Sequence, residues 1–149
     1  MKAKLISIFI FTFLIDRITK FWAIKGFLNK YSFFNGALSF DLFFNKGISW
    51  SLFESANIYM LYAIFIIILL ILFFLLFQIR SKWIDSKFAL GEVLVFSGGL
   101  SNLIDRILYN GVIDFIILSL KNYTWPVFNL ADFFIVIGVL LIFFQSTKI

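Results

Sequence analysis

The chain carries thirteen basic and eight acidic side chains but no histidine and no cysteine. Thiol nucleophiles, disulfides, serine–histidine triads and most zinc sites are thereby removed. Acid–base chemistry must run on carboxylates, with lysine or tyrosine as lesser candidates. The pattern Asn-Leu-x-Asp occurs twice, as Asn102-Leu103-Ile104-Asp105, followed by Arg106, and as Asn129-Leu130-Ala131-Asp132, with Asp114 between them. Residues three apart on a helix share a face, so Asn102 should sit beside Asp105 and Asn129 beside Asp132. An amide donates to a carboxylate and accepts from a protonated acid or a water, which suits it to orient a catalytic acid.

The elements that must position these groups are apolar. The chain is 62% hydrophobic, 21% aromatic and 14% charged, with one proline and a mean hydropathy of +1.04. No soluble domain of this length could hide so much apolar surface. The expectation is an all-α membrane protein forming a single polytopic domain over residues 1–149. Stretches 5–24, 58–79, 90–108 and 127–144 can each cross a bilayer, whose core takes about 20 helical residues. The first stretch begins with Lys2 and Lys4 in the manner of a signal peptide, but Asp16, Arg17 and Lys20 interrupt it and no small-residue cleavage site follows. It is expected to be a retained helix. The +5 charge is scattered at helix ends, which points to topology and away from nucleic acid. Lys2, Lys4, the short loop from Arg80 to Lys87, and Lys148 fall on one side if the four helices alternate. By the positive-inside rule that side, with both termini, is cytoplasmic, although Lys25, Lys30, Lys46 and Lys121 lie opposite.

With this topology the polar residues sort to one depth. Asp16 lies roughly 17 Å along the first helix from Leu5, past the midplane of a ~30 Å core. Asn102, Asp105 and Arg106 end the third helix on the outer side, Asp114 follows, and Asn129 and Asp132 open the fourth. A charge at a helix centre costs on the order of 2.5 to 3.5 kcal/mol, so the cluster needs a reason to exist. Interhelical hydrogen bonding is one such reason; a shared functional site, favoured by two amide–carboxylate pairs with Asp114 and Arg106 at the same depth, is the other. Asp16 and Lys20, four apart, read as a structural, mutually neutralising pair with Lys20 reaching outward. Residues 26–56 interleave aromatic and polar side chains and suggest a small extracytoplasmic β-like surface segment with a tight turn, in which Asn45 and Gly47 stand out. Residues 109–126 suggest a short half-helix around Asp114. An ion-coupled carrier would need polar groups at both depths, and Glu92 is the only acid near the inner end. A structural adaptor would not need the cluster.

Taken in order, Asp16-Arg17-Ile18-Thr19-Lys20, Asn45-Lys46-Gly47, Gly98-Gly99-Leu100-Ser101-Asn102-Leu103-Ile104-Asp105-Arg106, Val112-Ile113-Asp114-Phe115 and Phe128-Asn129-Leu130-Ala131-Asp132 resemble the motif set of lipoprotein signal peptidase, the bacterial type II signal peptidase. The resemblance spans essentially the whole chain. Ser101 departs from the pattern, standing where a glycine is common. The resemblance implies an aspartic endopeptidase of the bacterial cell membrane that cleaves diacylglyceryl-modified prolipoproteins before the lipidated cysteine, with Asp114 and Asp132 as catalytic pair and no cofactor or metal. It further implies that Asn102 and Asn129 orient the pair, Arg106 and Asn45 hold substrate backbone, and Asp105 fixes Arg106 or the helix ends. Globomycin-type inhibitors and membrane lipids are the other expected partners of what should act as a monomer. Two carboxyls within about 3 Å cannot both ionise, so such a pair would share a proton.

Overall fold

A computed structural model describes residues 2–27, 32–33, 37–46, 58–85, 87–121 and 123–146. Helices α1 (Lys2–Phe27), α2 (Ile58–Ile84), α3 (Leu90–Tyr109) and α4 (Leu130–Ser146) are joined by strands β1 (Ser32–Phe33), β2 (Leu38–Asn45), β3 (Val112–Leu120) and β4 (Tyr123–Thr124). The fold is mostly helical with one small antiparallel sheet, ordered β1-β2-β3-β4. Among the described residues one helix is long and apolar enough to cross a membrane by length and composition, over Tyr62–Ile84; α4 is apolar but shorter.

The centre of the fold is α3, which packs against α1, α2, α4 and β3. Its approach to α4 depends on glycine. A Cβ on Gly91 would lie 2.7 Å from the Gly138 carbonyl oxygen, and one on Gly98 would lie 2.5 Å from that of Ala131. Gly91 and Gly98 are seven apart, as are Ala131 and Gly138, so two turns of each helix meet backbone to backbone. One apolar cluster, Leu5, Ile79, Ala89 and Val93, ties α1 and α2 to the start of α3, and a second, Ala23, Ile113 and Phe115, ties α1 to β3.

Three sequence expectations change. Residues 112–120 form strand β3 where a half-helix was expected. Val112, Ile113, Ile116 and Ile117 are β-branched and lose side-chain freedom in a helix. The segment also gains a partner in β2, pairing Asn45 with Val112 and Phe43 with Asp114. The expected loop at 80–87 is largely helical, because α2 continues to Ile84 and Lys82 reaches Glu92 and Gln145. Helix α4 starts at Leu130, since Phe128 is still extended and bridges Ile116. The expected surface strands appear as β1 and β2; the turn at Gly47 lies outside the described residues.

Candidate active site

The first turn of α4 is organised by its own sequence. Asn129 Oδ1 accepts the backbone N–H of Asp132 at 2.9 Å, and Asp132 Oδ2 accepts the backbone N–H of Asn129 at 3.2 Å. This is a reciprocal capping box, built here from Asn and Asp. The Ala131 N–H donates to Asp16 Oδ1 of α1 at 2.8 Å, so a second free N–H of the helix end finds a carboxylate. The same four-residue pattern at 102–105 lies within α3, where backbone donors are already used, and its side chains turn to other elements.

Asp114 arrives from the start of β3, which is buried on both faces, and strand alternation sets it on the face opposite Ile113 and Phe115. Its Oδ1 accepts Asn129 Nδ2 at 2.6 Å and its Oδ2 accepts Asn45 Nδ2 at 2.9 Å. Asn129 therefore bonds the Asp114 carboxyl with its amide nitrogen and the Asp132 backbone N–H with its amide oxygen. Asn102 completes the bridge by donating to Asp132 Oδ1 at 2.8 Å. Burial, reinforced by the charge of Asp132, pushes the Asp114 carboxyl up to about 7, against the lowering effect of the Asn45 and Asn129 hydrogen bonds and of Lys20.

A charged layer lies behind the two carboxylates. Lys20 Nζ contacts Asp16 Oδ2 at 2.9 Å, Asp105 Oδ2 at 2.8 Å and Asn102 Oδ1 at 2.6 Å. Lys20, Asp16 and Asp105 are all at most 1% exposed, so Lys20 does not reach outward as expected: three acceptors inside the fold take its three protons. Asp105 likewise does not hold Arg106. It pairs with Lys20 and Arg17 and accepts the Ile113 N–H at 3.3 Å, which anchors the start of β3. Nor does Asn102 pair with Asp105, since its amide is taken up by Lys20 and Asp132. Arg106 donates to the Asn102 backbone carbonyl at 3.2 Å.

Arg17 and Ser101 were not singled out as site residues, yet both belong to this layer. A signal for them existed. Thr12, Asp16 and Lys20 are spaced by four on α1, and Ser97, Ser101 and Asp105 are spaced by four on α3. The two stripes meet rung by rung: Thr12 with Ser97 at 2.7 Å, Asp16 with Ser101 at 2.6 Å, Lys20 with Asp105 at 2.8 Å. Ser101 in place of glycine thus supplies a buried donor to Asp16.

Asn45, Asn102, Arg106, Asp114 and Asp132 line one cavity of about 340 Å³, walled on its apolar side by residues including Trp125, Phe128 and Ile135. Asn129, Asp16, Lys20 and Asp105 support it from beneath. Gly47 lies outside the described residues. Chemically the cavity offers two carboxyls to a water and a polarised carbonyl, a guanidinium and an amide for further polar contacts, and an apolar wall.

A family model described as Signal peptidase (SPase) II matches residues 8–148. The chain is similar to a lipoprotein signal peptidase of Clostridium novyi, 33% identical over 92% of this chain and 93% of that protein. It is similar also to one of Thermodesulfovibrio yellowstonii, 35% identical over 96% and 93%. A solved structure of a bacterial membrane enzyme superposes with a TM-score of 0.79 at 30% identity, covering 98% of this chain and 88% of the other.

Proposed function

Since this chain belongs to the signal peptidase II family, we propose that it is an aspartic endopeptidase that removes signal peptides from diacylglyceryl-modified prolipoproteins, cleaving before the lipidated cysteine. The observation that carries this reading is the meeting of Asp114 and Asp132, from different elements, on one cavity and through one bridging amide, Asn129.

Two acids in this position share a proton. The ionised carboxylate takes a proton from a water as its oxygen attacks the scissile carbonyl carbon; the protonated partner donates to the carbonyl oxygen and neutralises the developing oxyanion. Collapse of the tetrahedral intermediate returns a proton to the leaving amine and breaks the carbon–nitrogen bond. Arg106 and Asn45, on the cavity wall, hold the substrate backbone by hydrogen bonds. Asn102 and Asn129 orient the two acids.

The polarity of the fold supports a membrane setting. Helix α1 buries Thr12, Asp16 and Lys20 and exposes Ile10, Phe11, Leu14, Ile18, Phe21 and Trp22; α2 exposes Phe73, Phe74 and Phe77. Apolar outside and charged inside is the arrangement that lipid as solvent favours. We read α1 to α4 as four spans with both termini cytoplasmic and the carboxylate pair at the extracytoplasmic interface. A substrate whose acyl chains lie in the bilayer brings its neighbouring peptide bond to that depth. Much of the binding would then come from the chains, at about 0.8 kcal/mol per buried methylene.

The test is cleavage of diacylglyceryl-modified and unmodified prolipoprotein by the purified protein and by Asp114→Asn and Asp132→Asn. Cleavage of the modified substrate alone, lost in both folded variants, is expected. Parent-like turnover by either variant removes that residue from the pair, and equal rates on the two substrates remove the lipid requirement.

A further inference from the structure

The hydrogen-bond network distinguishes the two acids. An ammonium only donates, so the Asn102 oxygen must face Lys20 Nζ, 2.6 Å away, and its NH₂ must then face Asp132 Oδ1 at 2.8 Å. Lys20 is fully buried, and its remaining protons are engaged by Asp16 and Asp105 at 2.9 and 2.8 Å. The orientation of the Asn102 amide is thus set chiefly from α1, with Asn129 Nδ2 donating to the same oxygen at a longer 3.3 Å. The other Asp132 oxygen, Oδ2, accepts the backbone N–H of Asn129, a donor that cannot be inverted. Both Asp132 oxygens therefore meet fixed N–H donors, the environment of an ionised carboxylate. Asp114 Oδ1 meets Asn129 Nδ2, whose amide is fixed through Asn129 Oδ1 on the Asp132 N–H. Its second oxygen faces the side-chain amide of Asn45, a group able to donate or to accept.

We propose that Lys20 is a positioning residue: by orienting the Asn102 amide it makes Asp132 the ionised general base and leaves the proton of the pair on Asp114. This rests on the reading of Asp114 and Asp132 as the catalytic pair. Asp132 then takes the proton of the attacking water and Asp114 gives its own to the carbonyl oxygen. The position of the Asp114 carboxyl, near 7, agrees with this assignment. The charged groups that act on the pair are Lys20 and Asp16 from α1 and Arg106 from α3, with each acid acting on the other.

Kinetics of Lys20→Met across pH, on lipidated prolipoprotein, test the proposal. Without the ammonium, the Asn102 oxygen keeps only the longer contact from Asn129 Nδ2, at 3.3 Å, and ionised Asp132 loses the support of a nearby positive charge. The acid limb of kcat is expected to move upward by about one pH unit, the low end of what a nearby opposite charge supplies. At neutral pH kcat should fall at least tenfold, with KM little changed. Asp16→Asn combined with Lys20→Met preserves the local charge balance and, because Asp16 and Lys20 act on Asp132 in opposite senses, is expected to show a smaller upward shift of the limb with the same loss of kcat if the single variant fails to fold. A folded variant with parental kcat and parental acid limb, whatever its Tm, overturns the proposal, since a purely structural lysine would change stability alone. A second measurement uses the intact protein, with ¹³C-labelled aspartate carboxyls titrated by NMR. The resonance of the pair that titrates at the higher pH should be the one missing from Asp114→Asn; its absence from Asp132→Asn instead refutes the assignment even if both variants are inactive. Parental cleavage by both aspartate variants would refute the catalytic pair itself, a separate result.

Discussion

Asn129→Ala should damage stability and catalysis through two different atoms, and Asn129→Ser should separate them. In the parent, Asn129 Oδ1 caps α4 through the Asp132 N–H at 2.9 Å, while Asn129 Nδ2 donates to Asp114 Oδ1 at 2.6 Å. Loss of an N-cap costs about 1 kcal/mol. Removing a buried donor from a carboxyl that stays behind costs about 1–3 kcal/mol more. The alanine variant is therefore expected to lose roughly 2–4 kcal/mol of stability. With both acids unbridged, kcat should drop on the order of 10²-fold, the scale of losing one preorganised donor. Serine caps a helix about as well as asparagine, so Asn129→Ser should recover about 1 kcal/mol. Its hydroxyl, used at the cap and shorter than the amide, cannot bridge to Asp114, so kcat should stay low. Thermal unfolding in detergent and initial rates on lipidated prolipoprotein read the two quantities independently. Recovery of parental kcat in Asn129→Ser would show that the cap alone matters and that the bridge to Asp114 has no part in catalysis.

The raised Asp114 carboxyl has a definite sign. Its folded value of about 7 exceeds the ordinary 3.8, so the folded state keeps a proton that the unfolded chain has already lost. Stability from this group is full below about 4 and declines as pH rises to about 7; Tm measured from pH 4 to 8 should fall, and Asp114→Asn should flatten that slope. Cleavage should likewise decline as pH rises above about 7, and a rate still climbing at pH 9 would contradict a protonated Asp114. In Gly98→Ala the new Cβ would stand 2.5 Å from the Ala131 carbonyl oxygen, which must force α3 and α4 apart; about 1–3 kcal/mol should be lost, with activity falling too because Ala131 adjoins Asp132. An unchanged Tm would refute the close approach. Chelators and serine-directed reagents should leave cleavage intact while a globomycin-type cyclic lipopeptide inhibits it competitively, assayed on lipidated substrate; loss of activity with a chelator would refute chemistry run by carboxylates and water.

Much of the architecture was legible because the chain writes it in local terms. Long apolar runs gave four helices, and α3 ends at Tyr109 within one residue of expectation, although α2 runs on to Ile84 and α4 starts at Leu130. The sorting of Asn102, Arg106 and Asp132 to one end of the helices was also legible, since depth along a helix follows from counting residues at 1.5 Å each, and Asp114 falls in the segment that joins α3 to α4. In the fold these four line one cavity. What counting cannot supply is rotation about the helix axis and the identity of the neighbour. Asn102 and Asp105 share a helix and both meet Lys20 of α1, yet only Asn102 reaches on to Asp132 of α4, while Asp105 also takes Arg17. Lys20, locally a partner of Asp16, turns inward because Asp105 and Asn102 wait on α3, and ammonium burial is tolerable only where every proton finds an acceptor. The segment around Asp114 became a strand because β2 presented an edge to it. A helix hydrogen-bonds within itself and so can be read from one segment. A sheet, an ion pair between helices and a carboxylate pair are each made of groups distant in the chain, and only the packing of α1, α3, α4 and β3 decides them.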